Sequence, residues 1–153
     1  MQKNQFIAPG AHVIGMVHLG ENVGIWYNTV IRGDTNTIEI GNNTNVQDNT
    51  TIHTDANFPV QIGSGVTIGH NAIIHGCTIG DNTVIGMGSI LLSGAVIGRN
   101  CIIGAGSLVT GKTHIPDNML AFGNPAKPIR AITAEEKEAN CENAMHYVEL
   151  IRG

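Results

Sequence analysis

Residues 79–115 read Ile79-Gly-Asp-Asn-Thr-Val-Ile85-Gly-Met-Gly-Ser-Ile-Leu91-Leu-Ser-Gly-Ala-Val-Ile97-Gly-Arg-Asn-Cys-Ile-Ile103-Gly-Ala-Gly-Ser-Leu-Val109-Thr-Gly-Lys-Thr-His-Ile115. An aliphatic residue returns at every sixth position, seven times without a break. A small or β-branched residue stands four places after most of these anchors, as at Thr83, Ser89, Ala95, Cys101 and Ser107. Gly-x-Asn or Gly-x-Gly follows many of them, as at Gly80/Asn82, Gly86/Gly88, Gly98/Asn100 and Gly104/Gly106. Gly and Asn best tolerate positive φ, so they mark a corner in the hexad. Random apolar clustering would not couple three positions at one period. The pattern predicts a solenoid of short parallel strands.

The same pattern extends towards the N-terminus. Anchors stand at Ile7, Val13, Leu19, Ile25 and Ile31; after a phase shift of three they resume at Ile40, Val46 and Ile52. After a four-residue insertion come Ile62, Ile68 and Ile74, and one residue is lost before Ile79. Strand and corner repeated three times make a triangular coil of about eighteen residues, and successive coils lie ~4.8 Å apart as hydrogen-bonded strands do. Eighteen hexads thus predict an all-β solenoid of six coils over residues 1–118. The Pro- and Gly-rich stretch 119–132 reads as an irregular connection. Thr133-Ala134-Glu135-Glu136 reads as a capping box. Behind it Cys141, Ala144, Met145, Val148 and Ile151 recur at helical spacing, so 133–153 reads as a terminal helix lying back on the solenoid.

Composition agrees with one folded domain. The chain has 153 residues, 42% hydrophobic but only 13% charged, with 20 glycines. A net charge of −4 without a basic run argues against nucleic acid. No stretch approaches the roughly 18 apolar residues a membrane helix needs. Met1-Gln2-Lys3-Asn4-Gln5 lacks the apolar core of a signal peptide. Three scattered cysteines, Cys77, Cys101 and Cys141, form neither a disulfide framework nor a zinc knuckle, so a cytoplasmic location is expected.

Placing the seven histidines on the repeat separates them. His53 follows anchor Ile52 and His75 follows Ile74, three hexads later, so they share a face one coil apart. Arg32 holds the same position one coil below. Two imidazoles one strand spacing apart can share a metal. His70, after Gly69, stands on another face with Asp48 one coil below and Gln47 beside it. A threefold assembly could bring His70 of one copy to the pair of another. Three ligands with an open fourth position are the catalytic pattern for zinc. His12, His18, His114 and His146 show no comparable setting. Arg32-Gly33-Asp34 reads as an ion pair that is buried or lies between subunits, not as an adhesion tripeptide.

The ordered set Ile31-Arg32-Gly33-Asp34, Asn45-Val46-Gln47-Asp48-Asn49, Ile52-His53, Ile68-Gly69-His70 and His75-Gly76-Cys77 resembles the gamma-class carbonic anhydrases over essentially the whole chain. The resemblance implies a homotrimer of left-handed parallel β-helices. It implies His53, His70 and His75 as ligands of Zn2+, with Fe2+ or Co2+ equally suited to three imidazoles. Arg32 and Asp34 would form an intersubunit pair. Asn45, Gln47 and Asp48 would line the site, Gln47 orienting a metal-bound hydroxide that attacks carbon dioxide to give bicarbonate. Tyr147 of the terminal helix matches a tyrosine near the site in the short subgroup. Two features depart from the family prototype: Thr35 replaces a glutamate, and no acidic loop carries a proton shuttle, a role not assigned to Asp55. Two other readings compete. One is a hexapeptide-repeat acyltransferase using acetyl-CoA, to which Gly123-Asn124-Pro125-Ala126-Lys127 is similar; the other is a metal-binding trimer with weak or no hydratase activity.

Overall fold

A computed structural model describes residues 4–153; Met1–Lys3, on which the reading of the N-terminus partly rests, lie outside the described residues. The described residues form a parallel β-solenoid of about six turns followed by one helix. Its anchors stack in three columns. One face pairs Ile7, Ile25, Val46, Ile68, Ile85 and Ile103 in register. A second stacks Val13, Ile31, Ile52, Ile74, Leu91 and Val109. The third stacks Leu19, Ile40, Ile62, Ile79, Ile97 and Ile115. From Ile25 onward these anchors are buried and form one continuous core.

The other two positions of the hexad also find their physical reasons. Asn22, Asn43, Asn71, Asn82 and Asn100 all take φ between 53° and 59° at corners. The buried hydroxyls are satisfied by carbonyls of neighbouring coils: Thr29 donates to Gln47 O, Thr44 to Gly63 O, Thr50 to Gly69 O and Thr83 to Gly98 O. A small hydroxyl at this position therefore fills the corner and bonds the next rung without leaving a buried polar group unpaired.

The interruptions of the repeat share one edge. The intervals Ile31–Ile40, Ile52–Ile62 and Ile74–Ile79 all join the second face to the third, on three successive coils. In the first, Gly15 pairs with Gly33 but Val17 pairs with Ile38, so residues 34–37 bulge outward opposite Met16. In the second, Asp55 and Phe58 close a tight turn through paired backbone hydrogen bonds of 3.0 and 3.1 Å.

The stretch 119–131 is ordered, where the sequence reading expects irregularity. Met119–Gly123 adds a rung beside Ile102–Ile103, with Ala121 in the anchor position and fully buried. Ala126–Ala131 then doubles back antiparallel and covers the open edge. Pro125 lies in the turn and Pro128 on the outermost strand, where a missing N–H breaks no inner ladder.

The helix runs Ala134–Arg152 and packs on Gly24–Ile25, Asn45–Val46 and Thr67–Ile68. Ala144 and Val148 are buried beneath it, whereas Met145, read as part of the apolar face, is exposed. Gly24 permits the close approach, since a Cβ there would meet Ile151 Cγ2 at 3.3 Å. The capping box forms: Glu136 N–H donates to Thr133 Oγ1 at 3.1 Å, and Thr133 N–H to Glu136 Oε1 at 2.9 Å. Arg130 grips the Glu136 carboxylate with two nitrogens at 2.7 and 3.0 Å. Arg130 first, and the Thr133 N–H second, pull the Glu136 carboxyl to about 2. Its stabilising contribution is present above the ordinary carboxylate range and is lost as pH falls through about 2. Thr133→Ala is expected to cost about 1 kcal/mol in urea unfolding at neutral pH, with exchange of the first-turn amides accelerated most.

Candidate metal centre

Strand alternation explains the pair. Ile52 and Ile74 point into the core, so the next residues, His53 and His75, point out; the register pairs them directly, with Arg32 opposite His53 on the coil below. His53 Nδ1 and His75 Nε2 lie 3.2 Å apart, with ring centroids at 5.2 Å and planes at 67°. Two nitrogens each about 2.0–2.1 Å from a tetrahedral ion lie about 3.3 Å apart. The pair thus has the spacing of two ligands of one cation.

The outer ring nitrogens are also anchored. His53 Nε2 faces Asp34 Oδ1 at 3.0 Å, and Asp34 Oδ2 accepts from Arg32 Nη1 at 2.6 Å. Arg32 above all, with His53 second, holds the Asp34 carboxyl at about 2, so it is anionic at neutral pH. The Arg32–Asp34 pair closes within one chain and is about half exposed, because residues two apart on a strand share a face. His75 Nδ1 lies 2.9 Å from Ser93 Oγ, which lies 3.4 Å from Asp55 Oδ2. Cys77, two residues after His75, turns inward, and burial pushes its thiol up to about 12, which leaves it protonated.

His70 stands on the first face, one coil above Asp48, as its hexad position predicts. Its Nδ1 lies 2.9 Å from Asp48 Oδ2, and its side chain is 40% exposed. Asp48 Oδ1 accepts from Tyr27 N–H at 3.3 Å, which orients the carboxylate. Among the described residues no three His, Cys, Asp or Glu side chains gather into a metal-holding group, so one chain brings together His53 and His75 but not His70.

Asn45 and Gln47 are buried beside the terminal helix. Gln47 Nε2 donates to Asn45 Oδ1 at 3.1 Å, and Asn45 Nδ2 donates to Thr67 Oγ1 at 3.0 Å. Asn143 of the helix donates to the same hydroxyl at 3.3 Å. This chain of amides fixes the Gln47 carboxamide. Tyr147 packs edge-on against Trp26, ring centroids 5.6 Å apart. Partial burial, and secondarily the charge of Asp48, raise its phenol pKa. Sequence reading missed Ser93, Thr67, Asn143 and Trp26, and gave Asp55 no part. The available signal for Asp55 was its place in an insertion starting just after His53.

Imidazoles with carboxylate-anchored outer nitrogens suit zinc and similar divalent ions, so the donor set fits a metal cofactor.

The repeat and the site define a hexapeptide-repeat protein, and the family model of the bacterial transferase hexapeptide (six repeats) matches residues 59–91 and 76–111. The chain belongs to the gamma carbonic anhydrase family within that class. It is 49% identical over 150 residues to the "Probable carbonic anhydrase" of Methanocaldococcus jannaschii, covering 98% of this chain and 94% of that one. It is 44% identical to "Gamma carbonic anhydrase 1, mitochondrial" of Arabidopsis thaliana over 98% of this chain, and spans 57% of that relative's length. A hexapeptide transferase family protein of Anaplasma phagocytophilum superposes with a TM-score of 0.95 at 44% identity, covering 99% of this chain and 90% of that one.

Proposed function

We propose that three copies of the chain assemble, that His53 and His75 of one copy and His70 of the next hold a divalent ion at each interface, and that the site hydrates carbon dioxide to bicarbonate. One observation carries this reading. Among the described residues, the histidines whose ring nitrogens reach a carboxylate are the three at these positions, directly for His53 and His70 and through Ser93 for His75. Anchoring the outer nitrogen is how proteins orient a metal-ligating imidazole. Zinc, ferrous iron or cobalt would serve, the ion's chemistry being to bring the pKa of a bound water towards 7.

The chain's own residues do the rest. Asp34, Asp48 and Ser93 hold the three rings. Gln47, its amide nitrogen held by Asn45, orients the attacking oxygen, and Tyr147 beside Trp26 walls the site on the helix side. Arg32 and Asp34 line the contact between copies. The released proton leaves to solvent buffer, so turnover should rise with imidazole concentration at fixed pH. Among the described residues no helix is long and apolar enough to cross a membrane, and the three cysteines are free thiols, which suits a reducing compartment such as the cytoplasm.

The test is sedimentation equilibrium, metal analysis and a carbon dioxide hydration assay on protein purified without oxygen. The expected mass is about three times the 16.1 kDa chain, with one ion per chain. Gln47→Ala should lower hydration about 10–100-fold at saturating buffer with metal retained, the usual size of such an orienting contact. A monomer with full metal would overturn the shared site. A loaded trimer without hydration, but with saturable coenzyme A binding, would move the function to acyl transfer.

A further inference from the structure

Two interruptions of the repeat deliver the acids of the histidine pair. The bulge at 34–37 supplies Asp34, which faces His53 directly. The insertion after His53 supplies Asp55, which meets Ser93 from 38 residues away. Asp55 is held firmly for an exposed residue. Its Oδ1 accepts from Ala56 N–H at 2.8 Å, its backbone pairs with Phe58, and its carbonyl and that of Ala56 accept from Asn36 Nδ2 at 3.3 and 3.0 Å. Asn36 itself belongs to the bulge that carries Asp34. The two irregular segments therefore brace one another at the edge where the imidazoles emerge.

The hydrogen-bond directions give this arrangement a purpose. With both rings neutral, His53 Nε2–H donates to the Asp34 carboxylate, which can only accept. His53 Nδ1 must then accept from His75 Nε2–H, and His75 Nδ1 from the Ser93 hydroxyl. Ser93 Oγ lies 2.9 Å from His75 Nδ1 and 3.4 Å from Asp55 Oδ2, within reach of both, so its single O–H can serve either. In that order the His75 Nε2 lone pair is unavailable. A cation between the rings requires the other tautomer, with the His75 proton on Nδ1. Ser93 must then accept, and its own O–H must find a new acceptor. Asp55 Oδ2 is the acceptor within reach.

We propose that Asp55, acting through Ser93, is a positioning residue for the metal site: it gives the Ser93 hydroxyl an acceptor to turn to, and so selects the His75 tautomer whose Nε2 lone pair faces His53 and the cation. The inference rests on the metal reading above. It assigns the insertion after His53 a role in cation affinity rather than in proton export.

Zinc affinity, measured by chelator competition, tests it without any assay of turnover. Asp55→Asn is the informative variant. Its amide oxygen keeps the bond to Ala56 N–H, and its NH2 presents Ser93 with a donor in place of the acceptor. Asp55→Asn and Ser93→Ala should each weaken zinc binding about 10–100-fold, the range for partners of metal-ligating histidines. The double variant should be no weaker than the worse single, because the two act along one relay. In zinc-loaded protein labelled with nitrogen-15 in histidine, the His75 Nδ1–H should be visible and slow to exchange, and should be lost in Ser93→Ala. Unchanged melting temperatures would separate this from a folding defect. A wild type that binds zinc, with both variants binding as tightly or with additive losses, overturns the relay alone. A wild type that takes up neither zinc nor cobalt overturns the metal reading and the relay together.

Discussion

His70→Ala is expected to reduce bound metal to background while leaving the solenoid intact. The substitution removes no core group, since His70 projects from the first face with its side chain 40% exposed. It leaves Asp48 held by Tyr27 N–H and leaves the His53/His75 pair untouched on the second face. If the ion needs three imidazoles, two from one copy and one from the next, two are too few for a tight site. The loss should appear in metal analysis after dialysis against a weak chelator, with His12→Ala as a silent control. Mixing His70→Ala with His53→Ala protein should restore part of the metal, because some interfaces then combine an intact pair with an intact His70. A His70→Ala protein that keeps stoichiometric metal would place the site wholly within one chain. Mixed variants without recovery would argue against exchange of ligands between copies.

Ile74→Ala is expected to destabilise the protein by about 2–5 kcal/mol. Ile74 is fully buried, with Ile52 one coil below and Leu91 one coil above. Ladder hydrogen bonds run to both neighbouring coils, as from Thr51 N–H to Ala72 O and from Ile73 N–H to Ser89 O. The backbone therefore resists moving inward to fill the space, which puts the loss towards the upper part of that range. Native stability is itself only about 5–15 kcal/mol, so this one column position carries a large share. Ile129, 57% exposed on the outer strand, is the control; Ile129→Ala should stay within about 0.5 kcal/mol. Urea unfolding at fixed protein concentration measures both. A loss below about 1 kcal/mol for Ile74→Ala would mean that the coils relax more readily than their ladders imply.

The fold was legible because each residue's place depends on a count. Six residues advance the chain by one face and three hexads by one coil, so Ile7, Ile25 and Val46 could be stacked from their numbers, and so could His53 under His75 and Asp48 under His70. The terminal helix was legible from Thr133 and Glu136 because a capping box is a local hydrogen-bond pattern. Legibility failed where the count stops. Residues 119–131 lack the hexad yet form a hairpin, because the last coil leaves an unpaired edge that a returning strand satisfies. Met145 is exposed although it shares the helical spacing, because the helix rests on its contact strands through Ala144 and Val148.

The candidate site divides in the same way. Sequence by itself determined the column of Arg32, His53 and His75, and the separation of His70 from it, since parallel in-register pairing turns position in the repeat into position in space. Only the tertiary structure decided which groups hold those rings. Asp34 and Asp55 come from segments that break the repeat, and such segments take their shape from hydrogen bonds across the edge, Asn36 to the Asp55 turn foremost, which no periodicity encodes. Ser93 reaches Asp55, and Asn143 reaches Thr67 across 76 residues, because side-chain partners form wherever packing brings a donor to an acceptor.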